Sequence, residues 1–277
     1  MLQMRRLEDP SITTHSCPWS CVNKVLAPAS EISAVANSTR AHGTLPTLVD
    51  STRQRATIAL SIAALKLDGD YVETGVYRGG TSVLMMRVLD RAKDSRLFWA
   101  CDSFEGLPAA DIHLDDPRQA PAASCVGKKN SSTCLNAISL RLNKKGELRS
   151  SLTNFHRTVG RFKVSVHRLR VVKGWFADTL PPLGLRRIAF LRLDGDLYNS
   201  TYDALTRLEP LVAPGGYIYV DDYGSFRGCG AAVDRYLQEM RAQRSQFAGG
   251  GSAKLILNTL PNRHGRVQAI WWRKPLL

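Results

Sequence analysis

From about Thr47 onward, short apolar runs alternate with longer segments of helical period. The runs predict strands at Tyr71–Thr74, Leu97–Cys101, Leu169–Val172, Ile188–Leu193, Tyr217–Val220, Leu255–Asn258 and Gln268–Trp272. Several are apolar almost throughout, the mark of strands covered on both faces. The segments between them predict helices at Ser51–Leu67, Thr81–Ala92, Tyr202–Glu209 and Cys229–Gln243. This alternation indicates an α/β domain with a parallel sheet. The connection Leu260–Arg266 is too short for a helical crossover, so the last two strands are expected to be antiparallel.

Two stretches break the pattern. Residues 1 to about 45 are rich in Ser, Thr and Ala and lack a period, so they read as a tail or variable cap, leaving 46–277 as one domain. Residues from about 109 to 154 form a polar, basic insertion with a helix expected near Ser131–Leu142. A connection of that length in a compact domain acts as a lid or is disordered.

Composition narrows the classes. A chain of 277 residues with 44% hydrophobic and 22% charged residues buries a full core and is not disordered as a whole. Its longest apolar stretch, Ile58–Leu65, is far short of the roughly 20 residues that cross a bilayer. With no secretory signal visible, a cytoplasmic protein is expected, with a transit peptide in the first 40 or so residues as the alternative. Six scattered cysteines do not make a disulfide framework, and the lone Cys17/Cys21 pair reads as ordinary thiols. The net charge of +14 is uneven: Arg141–Lys173 holds ten Lys or Arg and one acid, a local +9. The segment reads as a solvated basic face; the alternative is a non-catalytic protein that binds nucleic acid or an acidic partner there. With one aromatic flanked by bases, Phe162, it lacks a base-stacking pattern, so nucleic acid is not the expected partner.

Three sites carry candidate chemistry. In the first, a strand ends at Glu73 and Thr74, and the loop Gly75–Gly80 leads into a helix containing Ser82. The loop is neither a dinucleotide fingerprint nor a P-loop. An acid just before the turn repels a pyrophosphate and suits an ammonium group, which favours S-adenosylmethionine over a dinucleotide; a tight structural turn is the alternative. The cofactor-binding candidates here are Glu73, Thr74, Gly75, Gly79 and Ser82. In the second, Asp102 and Ser103 end the next strand, where an acid accepts ribose hydroxyls or caps a turn. In the third, Asp194 and Asp196 follow one strand while Asp221 and Asp222 follow its neighbour. Four converging carboxylates repel one another unless a cation is shared, and hard oxygen ligands favour Mg²⁺, Ca²⁺ or Mn²⁺; helix capping is the alternative. Sulfonium methyl transfer to an alcohol fits this set. A cation at Asp194, Asp221 and Asp222 lowers the pKa of a coordinated oxygen, and Asp196 takes the proton.

The runs Val72–Gly80, Asp102–Pro108, Lys173–Pro181, Leu193–Thr201 and Pro214–Tyr223, in order, closely resemble the macrocin O-methyltransferase family. The resemblance covers about residues 45–277. It implies a class I methyltransferase fold: a seven-stranded, mostly parallel sheet with an antiparallel last strand and helices on both faces. It also implies use of S-adenosylmethionine and Mg²⁺, and methylation of sugar hydroxyls. By residue it implies Asp194, Asp221 and Asp222 as metal ligands, Asp196 as base, and Glu73, Gly75 and Asp102 at the cofactor. Trp175 or Phe176 packs near the adenine or serves the core. The insertion at 109–154 departs from the family and leaves the acceptor open. The expected acceptor is a glycoside or other small molecule with a hydroxyl; a catechol is the alternative, and a homo-oligomer is compatible with every motif.

Overall fold

The computed structural model of the protein describes residues 12–16, 26–111, 113–115, 145–247, 255–262 and 264–276. The Cys17/Cys21 pair, the helix expected near Ser131–Leu142 and most of the insertion lie outside these residues. Among the described residues eight strands form one sheet: β1 (Ile12–Ser16), β2 (Asp70–Thr74), β3 (Phe98–Asp102), β4 (Leu169–Lys173), β5 (Ile188–Leu193), β6 (Val212–Val220), β7 (Leu255–Pro261) and β8 (Val267–Arg273). Their order is β1-β7-β8-β6-β5-β2-β3-β4, with β8 antiparallel to both neighbours and all other pairs parallel. The described helices are α1 (Ala29–Arg40), α2 (Ser51–Ala64), α3 (Gly80–Ala92), α4 (Leu152–Arg161), α5 (Phe176–Thr179), α6 (Tyr198–Leu208) and α7 (Arg227–Phe247).

Two apolar layers sandwich the sheet. Side chains of α1, α2, α3 and α4 pack on one face with Tyr71, Phe190 and Tyr219. Those of α6 and α7 pack on the other with Val72, Leu191 and Trp272. The seven expected strands form, and the final pair is antiparallel. Within the segment expected to be a tail or variable cap, β1 adds an eighth strand beside β7 and α1 lies ahead of α2. The apolar stripe of α1 is thin: Ile32, Val35 and Thr39 are buried at helical spacing among Ser, Ala and Asn. Three inward positions in twelve residues leave a weak periodic signal in the sequence.

The sheet also sets where a ligand fits. The chain runs from β2 to β3 and β4 on one side, then crosses back to β5 and β6 on the other. The crevice at such a reversal, outside the carboxyl ends of the strands, is the binding position of open α/β sheets. Here the ends are flush: Val172, Cys101, Thr74, Leu193 and Val220 lie in one cross-strand row. Asp102, Gly75, Asp194 and Asp221 therefore emerge together.

Phe155 joins α4 to this edge. Its ring is fully buried and meets Phe104 edge-on, centroids 5.8 Å apart at 61°. Phe155→Ala should cost about 3–5 kcal/mol, read as a lower denaturant midpoint. A change under about 1 kcal/mol would show that the site edge collapses around the void.

Candidate functional site

One residue behind the flush row lies a second row: Glu73 on β2, Arg192 on β5 and Tyr219 on β6. Arg192 is wholly buried. Its Nη1 donates to Glu73 Oε1 at 3.1 Å and to Asp194 Oδ2 at 2.7 Å. Its Nη2 lies 3.0 Å from Asp221 Oδ1, an ion pair without hydrogen-bond alignment. The Tyr219 hydroxyl donates to the same Asp221 oxygen at 2.8 Å, and Arg192 sits over the Tyr219 ring. Burial works against the charge on Arg192, but Asp194, Asp221 and Glu73 outweigh it and hold the guanidinium ionised.

A second arginine reaches the cluster from α2. Asp50 caps that helix, accepting the Thr52 and Arg53 amides, and its other oxygen takes Arg53 Nε at 2.8 Å. Arg53 Nη1 then donates to Asp221 Oδ2 at 2.6 Å and to Asp222 Oδ1 at 3.3 Å. Burial opposes the charge on Arg53, and Asp221 and Asp222 more than restore it.

The carboxylates still outnumber the arginines. Among the described residues, the ion pairs to Glu73, Asp194, Asp221 and Asp222 come from Arg53 and Arg192, and with Asp196 beside them these five carboxylates and two arginines sum to −3 when all are ionised. Burial pushes the Asp196 carboxyl up to about 8, and the Asp194 charge adds to the shift. Burial, then the charges of Asp221 and Asp196, hold Asp222 well above the usual carboxylate range. Without another cation the cluster therefore retains protons near neutrality. Asp196 also sits in the left-handed region, at φ 57°, a strained backbone of the kind that gathers at functional sites.

The donor set fits a hard divalent cation. One carboxylate oxygen from each of Asp194, Asp221 and Asp222 lies within 4.8 Å of the others, and among the described residues no histidine or cysteine joins them. The residual negative charge has the sign such an ion needs.

These residues border a cavity of about 380 Å³. Asp194, Asp196, Asp221 and Asp222 line one side, and Gly75, Asp102, Ser103 and Trp175 line another. Gly75 has φ 80°, and a Cβ there would stand 1.8 Å from the Asp194 carbonyl oxygen, so only glycine lets the first loop cross the end of β5. Asp102 holds the same loop. Its Oδ2 accepts the Val76 and Tyr77 amides at 2.8 and 3.1 Å, and its Oδ1 accepts the Phe104 amide at 2.7 Å. Burial raises the Asp102 pKa, and these amides act against the rise. Ser103 Oγ donates to the Gly106 carbonyl and accepts the Glu105 amide.

Four expected cofactor residues do not line the cavity. Glu73 is fully buried, engaged by Arg192 and by the Ser82 hydroxyl. Burial raises its pKa and Arg192 opposes the rise. Its carboxylate is thus held by Arg192 and Ser82, behind the residues that line the cavity. Thr74 is buried with no hydrogen-bond partner for its hydroxyl, and Gly79 is the N-cap of α3.

Sequence reasoning missed both arginines. The signal for Arg192 was an arginine inside an otherwise apolar strand; Arg53 carries no local signal. It missed the wall formed by Pro46–Val49 as well. Of the basic segment, Arg157, Arg161, Lys163, Arg170 and Lys173 are exposed on or near α4 and the edge strand β4 and none of them lines the cavity, whereas Arg168 is buried and Leu148 reaches the cavity wall. Basic side chains beside an exposed edge discourage strand-to-strand association.

Among the described residues no helix is long and apolar enough to cross a membrane. Two relatives illustrate what the chain is similar to. Demethyldecarbamoylnovobiocin O-methyltransferase of Streptomyces niveus is 38% identical over 172 residues, covering 61% of this chain and 58% of that protein. The 8-demethyl-8-(2,3-dimethoxy-alpha-L-rhamnosyl)-tetracenomycin-C 4'-O-methyltransferase of Streptomyces olivaceus is 38% identical over 180 residues, covering 64% of this chain and 60% of that one. The chain thus spans about three fifths of the length of these curated relatives. In structure it resembles the O-methyltransferase NovP, with a TM-score of 0.60 and 26% identity over 93% of this chain and 98% of that one. The mixed sheet with helices on both faces is therefore the class I O-methyltransferase fold. Residues 47–245 match the macrocin O-methyltransferase (TylF) profile, and the chain belongs to that family.

Proposed function

We propose that the protein transfers a methyl group from S-adenosylmethionine to a hydroxyl of a sugar or glycosylated small molecule, with Mg²⁺ held by Asp194, Asp221 and Asp222. The observation that carries the reading is the placement of that trio, with Asp196 beside it, on the wall of one cavity at the sheet's reversal point. The glycine loop, Asp102, Ser103 and Trp175 form the wall suited to the cofactor. The relative from Streptomyces olivaceus, named for a 4'-O-methyl transfer on a rhamnosyl tetracenomycin, supports a sugar acceptor.

The chemistry divides among the chain's own residues. A bound Mg²⁺ supplies Lewis-acid polarisation of the acceptor hydroxyl. Asp196 Oδ receives the hydroxyl proton. S-adenosylmethionine, held along the wall of Gly75, Asp102, Ser103 and Trp175, would supply the methyl group on a sulfonium whose thioether leaves neutral, so the chain need supply no acid. Arg192 and Arg53 fix the carboxylates at the cavity wall before any ligand arrives, which reduces reorganisation during the reaction.

Asp196→Asn separates binding from chemistry. Calorimetry should find the S-adenosylmethionine affinity within about twofold of wild type, while turnover of a glycoside falls about 10²–10⁴-fold. Turnover at the wild-type rate would remove Asp196 as base. Running the same assay on a catechol distinguishes the acceptor classes, and a faster catechol reaction would overturn the sugar assignment.

Stability without divalent cation gives an independent readout. Asp196 keeps its proton in the folded chain up to about pH 8 but loses it near its usual pKa when unfolded. The native state then binds more protons, so this group makes stability fall as pH rises between those two values. Urea titrations in EDTA should show wild type losing stability relative to Asp196→Asn from about pH 4 to 8. A difference that stays flat across that window would contradict the burial of an ionisable Asp196.

A further inference from the structure

The cavity's outer wall is a segment with an unusual anchorage. After β3 the chain runs through Gly106, Leu107 and Pro108, all of which line the cavity. Leu107 and Ala110 join Leu197, Leu148 and Phe226 in a small apolar cluster, which Phe226 links to the layer under α6 and α7. The segment then closes on itself. Asp111 Oδ1 accepts the His113 and Leu114 amides, and the Asp111 amide donates to Asp115 Oδ2 at 2.8 Å.

The other oxygen of Asp115 leaves the segment. Oδ1 accepts the Tyr198 amide at 2.8 Å, 83 positions along the chain. Tyr198 is the first residue of α6, and the N-cap of that helix is Leu197, whose side chain cannot accept a hydrogen bond. Asp115 therefore caps α6 from a distance, at the end where a helix favours a negative charge. A third element closes around the carboxylate. A Cβ at Gly228, in the first turn of α7, would stand 1.7 Å from Asp115 Oδ1 and 2.8 Å from the Tyr198 nitrogen. The absence of a side chain at position 228 makes the room that Asp115 fills. Asp115 is 9% exposed and does not itself line the cavity.

We infer that Asp115 is a positioning residue for the acceptor: it latches the Gly106–Asp111 wall against the starts of α6 and α7 and so fixes the acceptor side of the cavity. The fixed partners are the helices, because α6 buries Ala204, Leu205 and Leu208 against the sheet. Release of the latch frees the wall and leaves α6, with Asp196 before it, in place. The kinetic part of this inference rests on the methyl-transfer reading; the anchoring part does not.

The test uses the full chain with Asp115→Ala, Asp115→Asn and Gly228→Ala. Asparagine keeps an oxygen for the Tyr198 amide but turns an NH₂ toward the Asp111 amide, so it should restore part of the loss. Hydrogen exchange followed by mass spectrometry should show peptides covering Leu107–Asp111 exchanging at least about tenfold faster in Asp115→Ala and Gly228→Ala, with Asp70–Thr74 unchanged. Acceptor KM should rise at least about tenfold in both, kcat should stay within about threefold, and S-adenosylmethionine affinity within about twofold. Unchanged exchange at Leu107–Asp111 overturns the latch. Faster exchange with an unchanged acceptor KM, or with kcat falling in place of a KM rise, overturns the acceptor role. If wild type methylates no acceptor at all, the function reading fails, and the exchange result still decides the anchorage.

Discussion

A single guanidinium ties three strand ends together. Arg192 stands on β5 between Glu73 of β2 and Tyr219 of β6, and it also reaches Asp194 and Asp221. A charge with no solvent exposure is tolerated only when paired, and removing one partner of a buried pair costs about 3–5 kcal/mol. Here the pairing is shared among three carboxylates on three neighbouring strands, so the register of the sheet and the charge state of the site are one constraint. The flush carboxyl ends, the Gly75 crossing over the Asp194 carbonyl and the cavity beyond them all depend on it.

That constraint also sets what the site can hold. Arg192 neutralises the cluster from beneath, and Arg53 does so from the cavity side, in contact with Asp221 and Asp222. Converging carboxylates thus do not by themselves require a metal, since arginine supplies part of the charge. With its carboxylates ionised the site is short of positive charge, and that shortage together with burial raises the pKa values of Asp196 and Asp222. Family membership and the fold support the proposal that the cavity at the sheet's reversal point takes the cofactor.

Much of this was legible in the chain. The strands from β2 to β8 announce themselves as apolar runs, and the acids at 194, 196, 221 and 222 follow two of them directly. What escaped was set by contacts distant in sequence. Arg53 meets Asp221 across 168 positions and Asp115 meets Tyr198 across 83, separations that no local pattern encodes. The position of Glu73 before the glycine loop is visible in the sequence, while its partner Arg192, 119 positions away on β5, is not. The helix α1 was hidden because three inward residues carry its packing, and β1 because a short edge strand gains its order from β7.

The central claim is that the charge deficit around Arg192 and Arg53 takes up a divalent cation between Asp194, Asp221 and Asp222. Anomalous scattering from crystals of the full chain grown with Mn²⁺ tests it most directly. The account predicts one peak within about 2.0–2.3 Å of an oxygen from each of the three carboxylates. No peak there at saturating Mn²⁺, with Arg53 still bridging Asp221 and Asp222, would contradict it.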